Sequence, residues 1–112
     1  MKFPRESGVL LHPTPLPGPY GIGEMGPEAY RFMDTLAKMG MHLWQILPHG
    51  MTGYGDSPYQ SFSTFAGNPL WISFDLLVEE GLLNEARLTD FPVFPRDTVD
   101  FGCVIPARLA VL

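Results

Sequence analysis

The sequence predicts an α/β fold, and three of its features support this class. Two short apolar segments, residues 9–12 and 43–47, have the length and composition of β-strands. Between them, residues 27–38 carry apolar side chains at the spacing of an amphipathic helix. Because a strand, a helix and a second strand follow one another, we expect a βαβ unit whose two strands are parallel.

The first predicted strand, Val9 to His12, leads into a proline-rich segment, residues 12–19. This segment reads His-Pro-Thr-Pro-Leu-Pro-Gly-Pro. Proline lacks a backbone N–H and fixes φ, so the segment cannot be helical and is expected to run extended.

The predicted helix has clear signals at both ends. Gly26 suits the N-cap and Pro27 the first helical position, while Gly40 suits the position just beyond the last turn. Five apolar residues form one continuous stripe at i, i+3, i+4, i+7 and i+8: Ala29, Phe32, Met33, Leu36 and Ala37.

The second predicted strand, Leu43 to Leu47, is expected to be buried and is followed by a loop rich in glycine, serine and aromatic residues. We call residues 48–69 the aromatic loop. Gly53 and Gly55 permit backbone angles that other residues resist, so the chain can turn sharply there. Loops at strand ends are where binding and catalytic sites are concentrated, so this loop is the first place to look for one.

The remaining elements are less sharply marked. Leu70 to Ser73 is predicted to be a short strand, and Asp75 to Glu80 a helix that ends at Gly81. Residues 84–99 are polar and interrupted by proline, which indicates a surface connection. Residues 105–112 resemble the first turns of an apolar helix that the chain does not complete, so we expect an N-terminal fragment of a longer protein.

Composition excludes several classes of partner. The net charge is −5 and no lysine or arginine cluster is present, which argues against nucleic acid or an anionic membrane as the main partner. No apolar run approaches the length of a membrane span, and no signal peptide is recognisable at the start. A single cysteine, Cys103, gives no disulfide framework and indicates a reducing cytoplasm.

One glycine motif imitates a cofactor site. Gly21, Gly23 and Gly26 match the G-x-G-x-x-G pattern of dinucleotide-binding proteins and precede a helix. In that fingerprint the glycines follow a strand directly, whereas the proline-rich segment intervenes here. Glu24 would also face the phosphates, so we interpret the glycines as structural and predict no cofactor.

Other chemical motifs are equally incomplete. Gly55-Asp56-Ser57 resembles the start of one class of serine esterases, but no histidine comes with a recognisable partner motif for activating the serine. Asp100-Phe101-Gly102 is a kinase tripeptide without the rest of the kinase signature. The histidines lack metal-ligand spacing, so each is interpreted as a packed or surface residue and no metal site is predicted.

The aromatic loop suits a sugar. A pyranose ring presents an apolar face and a rim of hydroxyls, and tyrosine offers a ring for the face and a hydroxyl for the rim. Tyr54 and Tyr59 are flanked by glycine, aspartate and serine, so we predict that they contact a ligand. Phe62 and Phe65 are predicted to be core residues.

Two blocks of sequence are similar to a known family. Residues 44–70, together with the run from Gly8 to Gly23, resemble the N-terminal signature of the 4-alpha-glucanotransferases, also called amylomaltases or disproportionating enzymes. The resemblance extends to about Leu83 and thins afterwards. It implies a (β/α)8 barrel, incomplete in this chain, in which residues 1–112 are the N-terminal segment of the catalytic barrel. That segment would comprise the first βαβ unit, the aromatic loop and the start of an inserted subdomain.

The resemblance also implies roles for residues of the loop. Tyr59 matches a tyrosine on the donor side of the cleavage point, Ser57 a nearby sugar contact, and Tyr54 a tyrosine of a second glucan-binding groove in some members. The aromatic partner of that last tyrosine is replaced here by Ile105. Four residues are expected to fix the loop rather than to react: Asp56, Gly53, Gly55 and Pro58.

The family transfers alpha-1,4-glucan segments to another glucan or to glucose with retention of configuration. Retention requires two carboxylates about 5–5.5 Å apart, and in the family these come from later strands of the barrel. No acidic residue of this chain matches those motifs, so neither Asp56 nor Asp100 is assigned a catalytic role. We therefore expect a substrate wall that is inactive in isolation, with a non-catalytic glucan-binding or structural domain as the alternative.

Overall fold

The computed structural model describes residues 2–57, 59–60 and 62–112. Two parallel strands, β1 (Gly8–Leu10) and β2 (Leu43–Gln45), flank helix α1 (Pro27–Lys38) in the sequence. Two further helices, α2 (Phe74–Glu79) and α3 (Phe101–Leu109), follow the aromatic loop, and short 3₁₀ turns connect the segments. Within the described ranges, every helix is too short or too polar to cross a lipid bilayer.

The predicted βαβ unit is present with its strands parallel. Val9 pairs with Trp44 in the centre of the two-stranded sheet, with one residue pair on each side. Both strands are shorter than expected, although the Leu11 amide still donates to the carbonyl oxygen of Gln45 at 3.0 Å. The indole Nε1 of Trp44 in turn donates to the carbonyl oxygen of Leu11 at 2.7 Å, which fixes the point where the chain leaves β1.

The expectation that the second strand is buried is wrong for this chain. Leu43 is more than half exposed, as is Leu10 on β1. Parallel strands need cover on both faces, and the described residues provide little cover beyond α1, whose Phe32 packs edge-on against Trp44 at a ring-centroid distance of 5.0 Å. The sheet therefore presents apolar surface outward.

Helix α1 confirms its predicted ends and much of its apolar stripe. Gly26 occupies the N-cap with extended backbone, and Gly40 follows the helix with φ of 76°. Ala29 and Leu36 are buried, whereas Met33 remains partly exposed. The stripe is thus continuous in sequence but covered over only part of its length.

The predicted strand at Leu70 to Ser73 is wrong, because the chain forms a 3₁₀ turn over Pro69–Trp71. The side chain of Asn68 caps this turn by accepting a 3.0 Å hydrogen bond from the Leu70 amide. Asparagine followed by proline is a helix-start signal that outweighs the apolar run. Helix α2 begins one residue earlier than expected, is capped by Ser73, and is followed by a glycine with positive φ at position 81.

The segment 84–99 is only partly the predicted surface connection. It contains a 3₁₀ turn at Glu85–Leu88, and Val93 is almost fully exposed. Phe91 and Phe94, however, pack against buried apolar clusters of the interior. An apolar residue between prolines can still be buried when the chain turns back over the core.

Helix α3 differs from its prediction at both ends. It begins at Phe101, where the Asp100 side chain accepts a hydrogen bond from the Cys103 amide, rather than at Ile105. It ends at Leu109, so the helix is completed within the chain. Pro106 lies in the interior of α3. Because proline usually marks a helix start or break, the sequence did not indicate that the helix begins before it.

Two apolar clusters make up much of the interior in the part of the chain that the structure describes. One joins α3 to the 3₁₀ turn Pro69–Trp71 and contains Ile22, Leu70, Trp71 and Val104. The other contains Phe74, Leu83 and Val111. Together they hold α2, α3 and the segment before α1 against one another, and they leave a cleft beside the ends of the strands.

Candidate binding cleft at the carboxyl ends of the strands

The cleft lies where the proline-rich segment and the aromatic loop meet, and we call these two segments the signature loops. Because β1 and β2 are parallel, their carboxyl ends lie at the same edge of the sheet, and the proline-rich segment and the aromatic loop leave from that edge. Between them is a cavity of about 250 Å³, which we call the strand-end cleft. Its lining residues are His12, Thr14, Leu47, Thr52, Asp56, Asn68 and Phe101.

The lining combines apolar walls with groups that form hydrogen bonds. Leu47 and Phe101 supply apolar surface, while the polar lining residues supply hydroxyl, amide, imidazole and carboxylate groups. Ligand sites are typically concave, mostly apolar and equipped with a few convergent polar groups. Since such pockets commonly measure about 300–1,000 Å³, the strand-end cleft suits a small ligand or one unit of an extended ligand.

His12 contributes an imidazole that is not fully satisfied within the described part of the chain. Its Nδ1 atom is buried and has no hydrogen-bond partner there. The ring packs edge-on against the indole of Trp71. Burial lowers the pKa of His12, so the ring is neutral near neutral pH and can either donate or accept a hydrogen bond. The sequence favoured a packed or surface histidine here and did not indicate a place in a cleft.

Asp56 occupies a tight turn of the aromatic loop. Its φ of 52° lies in the left-handed region, as does the φ of 70° at Gly55. Asp56 Oδ1 accepts a hydrogen bond of 3.4 Å from Thr52 Oγ1, and its amide donates to the carbonyl oxygen of Gly53 at 3.3 Å. Aspartate tolerates this backbone region better than most residues. These contacts agree with a loop-fixing role, which stays a prediction.

Gly53 lies where the two sides of the aromatic loop approach each other. Its amide donates to the carbonyl oxygen of Gln60 at 3.0 Å, which joins the two sides of the turn. A Cβ atom at position 53 would lie 3.1 Å from the ring of Phe62, tighter than an ordinary contact. The predicted role of Pro58 concerns a residue that lies outside the described residues.

Ser57 and Tyr59 lie beside the cleft rather than in its lining. The Tyr59 amide donates to Ser57 Oγ at 3.4 Å, and Tyr59 as a residue is 72% exposed. The backbone of Tyr54 lies in the 3₁₀ turn Tyr54–Asp56, but its side chain falls outside what the structure describes. The three predicted sugar contacts therefore share one loop, and their contact with a ligand stays a prediction.

The prediction that Phe62 and Phe65 are core residues is wrong for this chain. The two residues are 84% and 94% exposed, respectively. Both rings lie outside the two apolar clusters, whereas the ring of His49, near the start of the same loop, lies 6.2 Å from that of Trp71. We refer to Phe62, Phe65 and the likewise exposed Tyr59 of the same loop as the exposed aromatic surface.

Asp56 is the one lining residue that the sequence predicted to belong to the site, and the other six were not predicted. Asn68 carried a usable signal, since asparagine before proline marks a turn at the end of the aromatic loop. Phe101 was interpreted as part of a chance tripeptide with Asp100, yet it opens α3 and its ring borders the cleft. Its position depends on how α3 packs, which the local sequence does not encode.

The glycine motif before α1 has structural causes at each position. Gly21 adopts a φ of 82°, and a Cβ atom on Gly23 would overlap the carbonyl oxygen of Pro13. A Cβ atom on Gly26 would lie 2.5 Å from Ser73 Oγ. These features give each glycine of the motif a structural reason, in agreement with its interpretation from the sequence.

The chain matches one family profile and several known relatives. The profile of a family described as 4-alpha-glucanotransferase, glycoside hydrolase family 77, matches residues 11–112. The match therefore continues well past Leu83, where the resemblance was expected to thin. A 4-alpha-glucanotransferase of Thermus thermophilus is 56% identical over 102 residues, which cover 91% of this chain and 20% of that protein.

Relatives from other organisms give the same result. A 4-alpha-glucanotransferase of Clostridium butyricum is 59% identical over 91% of this chain and 21% of its own length. The solved structure of an amylomaltase from Streptococcus agalactiae in complex with acarbose superposes with a TM-score of 0.87 at 45% identity, covering 96% of this chain and 22% of that chain. The chain thus spans about a fifth of the length of the relatives it matches.

Proposed function

Since the chain belongs to the 4-alpha-glucanotransferase family, we propose that it supplies part of the substrate wall of an enzyme that transfers alpha-1,4-glucan segments to another glucan or to glucose. The single observation that carries this proposal is the meeting of the two signature loops at one edge of the parallel sheet, beside the strand-end cleft. In α/β barrels this edge is where substrates are bound.

The exposed aromatic surface supports a sugar as the ligand. Tyr59 is held by Ser57 through its backbone, while its ring remains free to cover the apolar face of a pyranose. Ser57 lies two residues before Tyr59, and its hydroxyl would bond a hydroxyl on the rim of the same sugar ring. Tyr54 would serve a second glucan-binding groove. The Streptococcus agalactiae amylomaltase was solved in complex with acarbose, which agrees with a glucan-like substrate for this chain.

The chemical step needs groups beyond this wall. Retaining transfer uses two carboxylates about 5–5.5 Å apart, one as nucleophile and one as acid and base. Asp56 is the carboxylate that lines the strand-end cleft among the described residues, and its Oδ1 atom accepts from Thr52. We therefore propose that the reacting pair comes from later strands of a (β/α)8 barrel, of which residues 1–112 form the N-terminal segment.

This mechanism requires neither a cofactor nor a metal, because carboxylates perform both the nucleophilic and the proton-transfer steps. The partners are maltooligosaccharides as donors, with glucose or another glucan as acceptor. The unpaired and exposed Cys103 supports a reducing cytoplasm as the compartment.

The proposal is tested with maltotriose. The full-length protein is expected to release glucose and longer dextrins, and Tyr59→Ala should raise KM for maltotriose about tenfold because a stacking surface is lost. Tyr59→Phe keeps the ring and should retain most of the affinity. The 112-residue chain by itself is expected to be inactive, and robust turnover by it would contradict the absence of the catalytic carboxylates.

A non-catalytic glucan-binding domain is the second candidate, and the exposed aromatic surface is the observation that favours it. Affinity electrophoresis of the isolated chain in amylose separates the two. Retardation that is lost in Tyr59→Ala but kept in Tyr30→Ala, a matched exposed tyrosine on α1, would support this second candidate. Equal mobility with and without amylose would reject it.

A further inference from the structure

A buried ion pair joins α3 to the segment before α1. Arg108 of α3 and Glu24 of the segment before α1 approach to 2.8 Å between Nη2 and Oε2, and their side chains are 0% and 8% exposed. Burial lowers the pKa of Arg108 and raises that of Glu24, while the attraction between the two charges opposes both shifts. A buried pair of this kind contributes little net stability compared with apolar residues of similar volume, so its role must be sought in the geometry it imposes.

Arg108 joins α3 to two other segments through the hydrogen bonds of one guanidinium group. Besides Glu24, its Nη2 atom donates to the carbonyl oxygen of Ile72 at 2.6 Å, directly after the 3₁₀ turn. Its Nη1 atom donates to the carbonyl oxygen of Tyr20 at 3.5 Å. The guanidinium also lies 4.0 Å above the ring of Phe74. The same Glu24 oxygen accepts from the Phe74 amide at 3.1 Å, so these contacts form one connected network. The buried Nε atom of Arg108 has no hydrogen-bond partner among the described residues.

Each of these segments carries a residue of the cleft lining. The 3₁₀ turn that ends beside Ile72 is capped by Asn68, which borders the cleft. The residue before Glu24, Gly23, donates from its amide to the carbonyl oxygen of Thr14, another lining residue, at 2.9 Å. The ion pair is therefore linked to the cleft indirectly on two sides, through the hydrogen bond of Gly23 to Thr14 and through the turn that Asn68 caps.

Helix α3 provides the third connection. It carries Phe101 at its start and Arg108 seven residues later, a separation of about 10 Å along a helix. Pro106 has no N–H to bond the carbonyl of Gly102, so the first turn of α3 has fewer internal hydrogen bonds. The position of Phe101 consequently depends on tertiary contacts, of which the fixed Arg108 is one and the packing of Val104 on Trp71 is another.

We propose that Arg108, paired with Glu24, is a positioning residue that holds the three walls of the strand-end cleft at their binding distance. It acts through Asn68, Thr14 and Phe101 and does not itself touch the substrate. The inference rests on the proposed function for its effect on substrate, but its effect on the cleft walls can be measured without substrate.

The test uses the full-length protein with Arg108→Lys. Lysine keeps the charge and can bond Glu24, but it lacks the planar fork that reaches the Ile72 and Tyr20 carbonyls at the same time. We expect KM for maltotriose to rise about tenfold while kcat changes less than about twofold, because loosened walls weaken binding before the chemical step. Amide hydrogen exchange should accelerate in peptides covering residues 12–16 and 68–72.

Arg31→Lys is the matched control. Arg31 forms an exposed ion pair with Glu28 on α1, so the same substitution there should change neither KM nor exchange at the cleft. Glu24→Gln is a second variant of the buried pair, since the amide oxygen still accepts from Arg108. It should give a smaller change in the same direction.

The two measurements separate the possible failures. If Arg108→Lys folds and exchange at residues 12–16 and 68–72 matches that of the wild type, the positioning role is refuted. The positioning role is also refuted if exchange accelerates but KM is unchanged. If Arg108→Lys and Glu24→Gln both fail to fold, the pair determines folding only, and the positioning role is again refuted. If the wild-type protein does not act on maltotriose, the proposed function fails, and the exchange measurement still decides whether Arg108 positions the walls.

Discussion

The imidazole of His12 stands edge-on against the indole of Trp71, with ring centroids 5.1 Å apart and planes inclined by 68°. Trp71 belongs to a buried apolar cluster, whereas His12 borders the strand-end cleft. The contact therefore connects the buried cluster to the strand-end cleft. Protonation of the His12 imidazole should consequently affect both.

Stability should fall in mild acid because of His12. Burial lowers its folded-state pKa below the ordinary value of about 6.5, so the unfolded chain takes up a proton first as the pH decreases. The contribution of this group is present above about pH 6.5 and is lost as the pH falls through the folded-state pKa. Urea unfolding at about pH 7.5 and 5.5 measures the change. His12→Gln should flatten this dependence, whereas His42→Gln, at an exposed position, should not.

Gly23→Ala should severely destabilise the protein. A Cβ atom at this position would overlap the carbonyl oxygen of Pro13, and backbone cannot move aside as a flexible side chain can. We expect a loss of at least about 3 kcal/mol in the free energy of unfolding, at the upper end for overpacking. Gly67→Ala is the control, because no atom lies within 4 Å of its added Cβ. Thermal unfolding of both variants would contradict the prediction if their midpoints were equal.

Trp44→Phe isolates one hydrogen bond at the end of β1. The variant keeps an aromatic ring against Phe32 but removes the Nε1 donor to the carbonyl oxygen of Leu11. The expected loss is about 1–2 kcal/mol, since a partly buried carbonyl loses its partner. Denaturant unfolding gives this value directly, with the exposed Tyr30→Phe as a substitution that should have no effect. An unchanged free energy of unfolding in Trp44→Phe would show that water replaces the indole donor without cost.

Asp56→Asn distinguishes a loop-fixing residue from a catalytic acid. Asparagine tolerates the left-handed backbone at φ of 52° and can still accept from Thr52. We expect kcat of the full-length protein on maltotriose to change less than about twofold in this variant, because a catalytic carboxylate would lose far more. Asp56→Ala should instead raise KM, since alanine resists this conformation by about 1–2 kcal/mol. Abolished transfer in Asp56→Asn would assign the carboxylate a catalytic role.

Local signals predicted the elements that depend on local interactions. The bounds of α1 follow from Gly26, Pro27 and Gly40, which all lie within a few residues of the helix. The parallel pairing of β1 and β2 followed from the helix between them, and this pairing brought the two signature loops to one edge. The general place of the candidate site was therefore predictable.

Contacts between distant residues were not predictable in this way. Glu24 and Arg108 are 84 positions apart, and nothing near either residue indicates the other. The exposure of Phe62 and Phe65 was misjudged because aromatic composition favours burial, whereas the direction in which a loop extends depends on the whole fold. The Asn68 cap was missed for a different reason, since its signal was present but was outweighed by the apolar run beside it.

The outward-facing apolar surface of β1 and β2 has a practical consequence for work on this chain. Each of these short strands has one edge whose amides and carbonyls are not paired with another strand among the described residues, and such edges recruit further strands. Purified by itself, the chain should self-associate as concentration rises. Co-expressed with the remaining polypeptide of a relative as a second chain, it should instead be captured into a split but reconstituted enzyme.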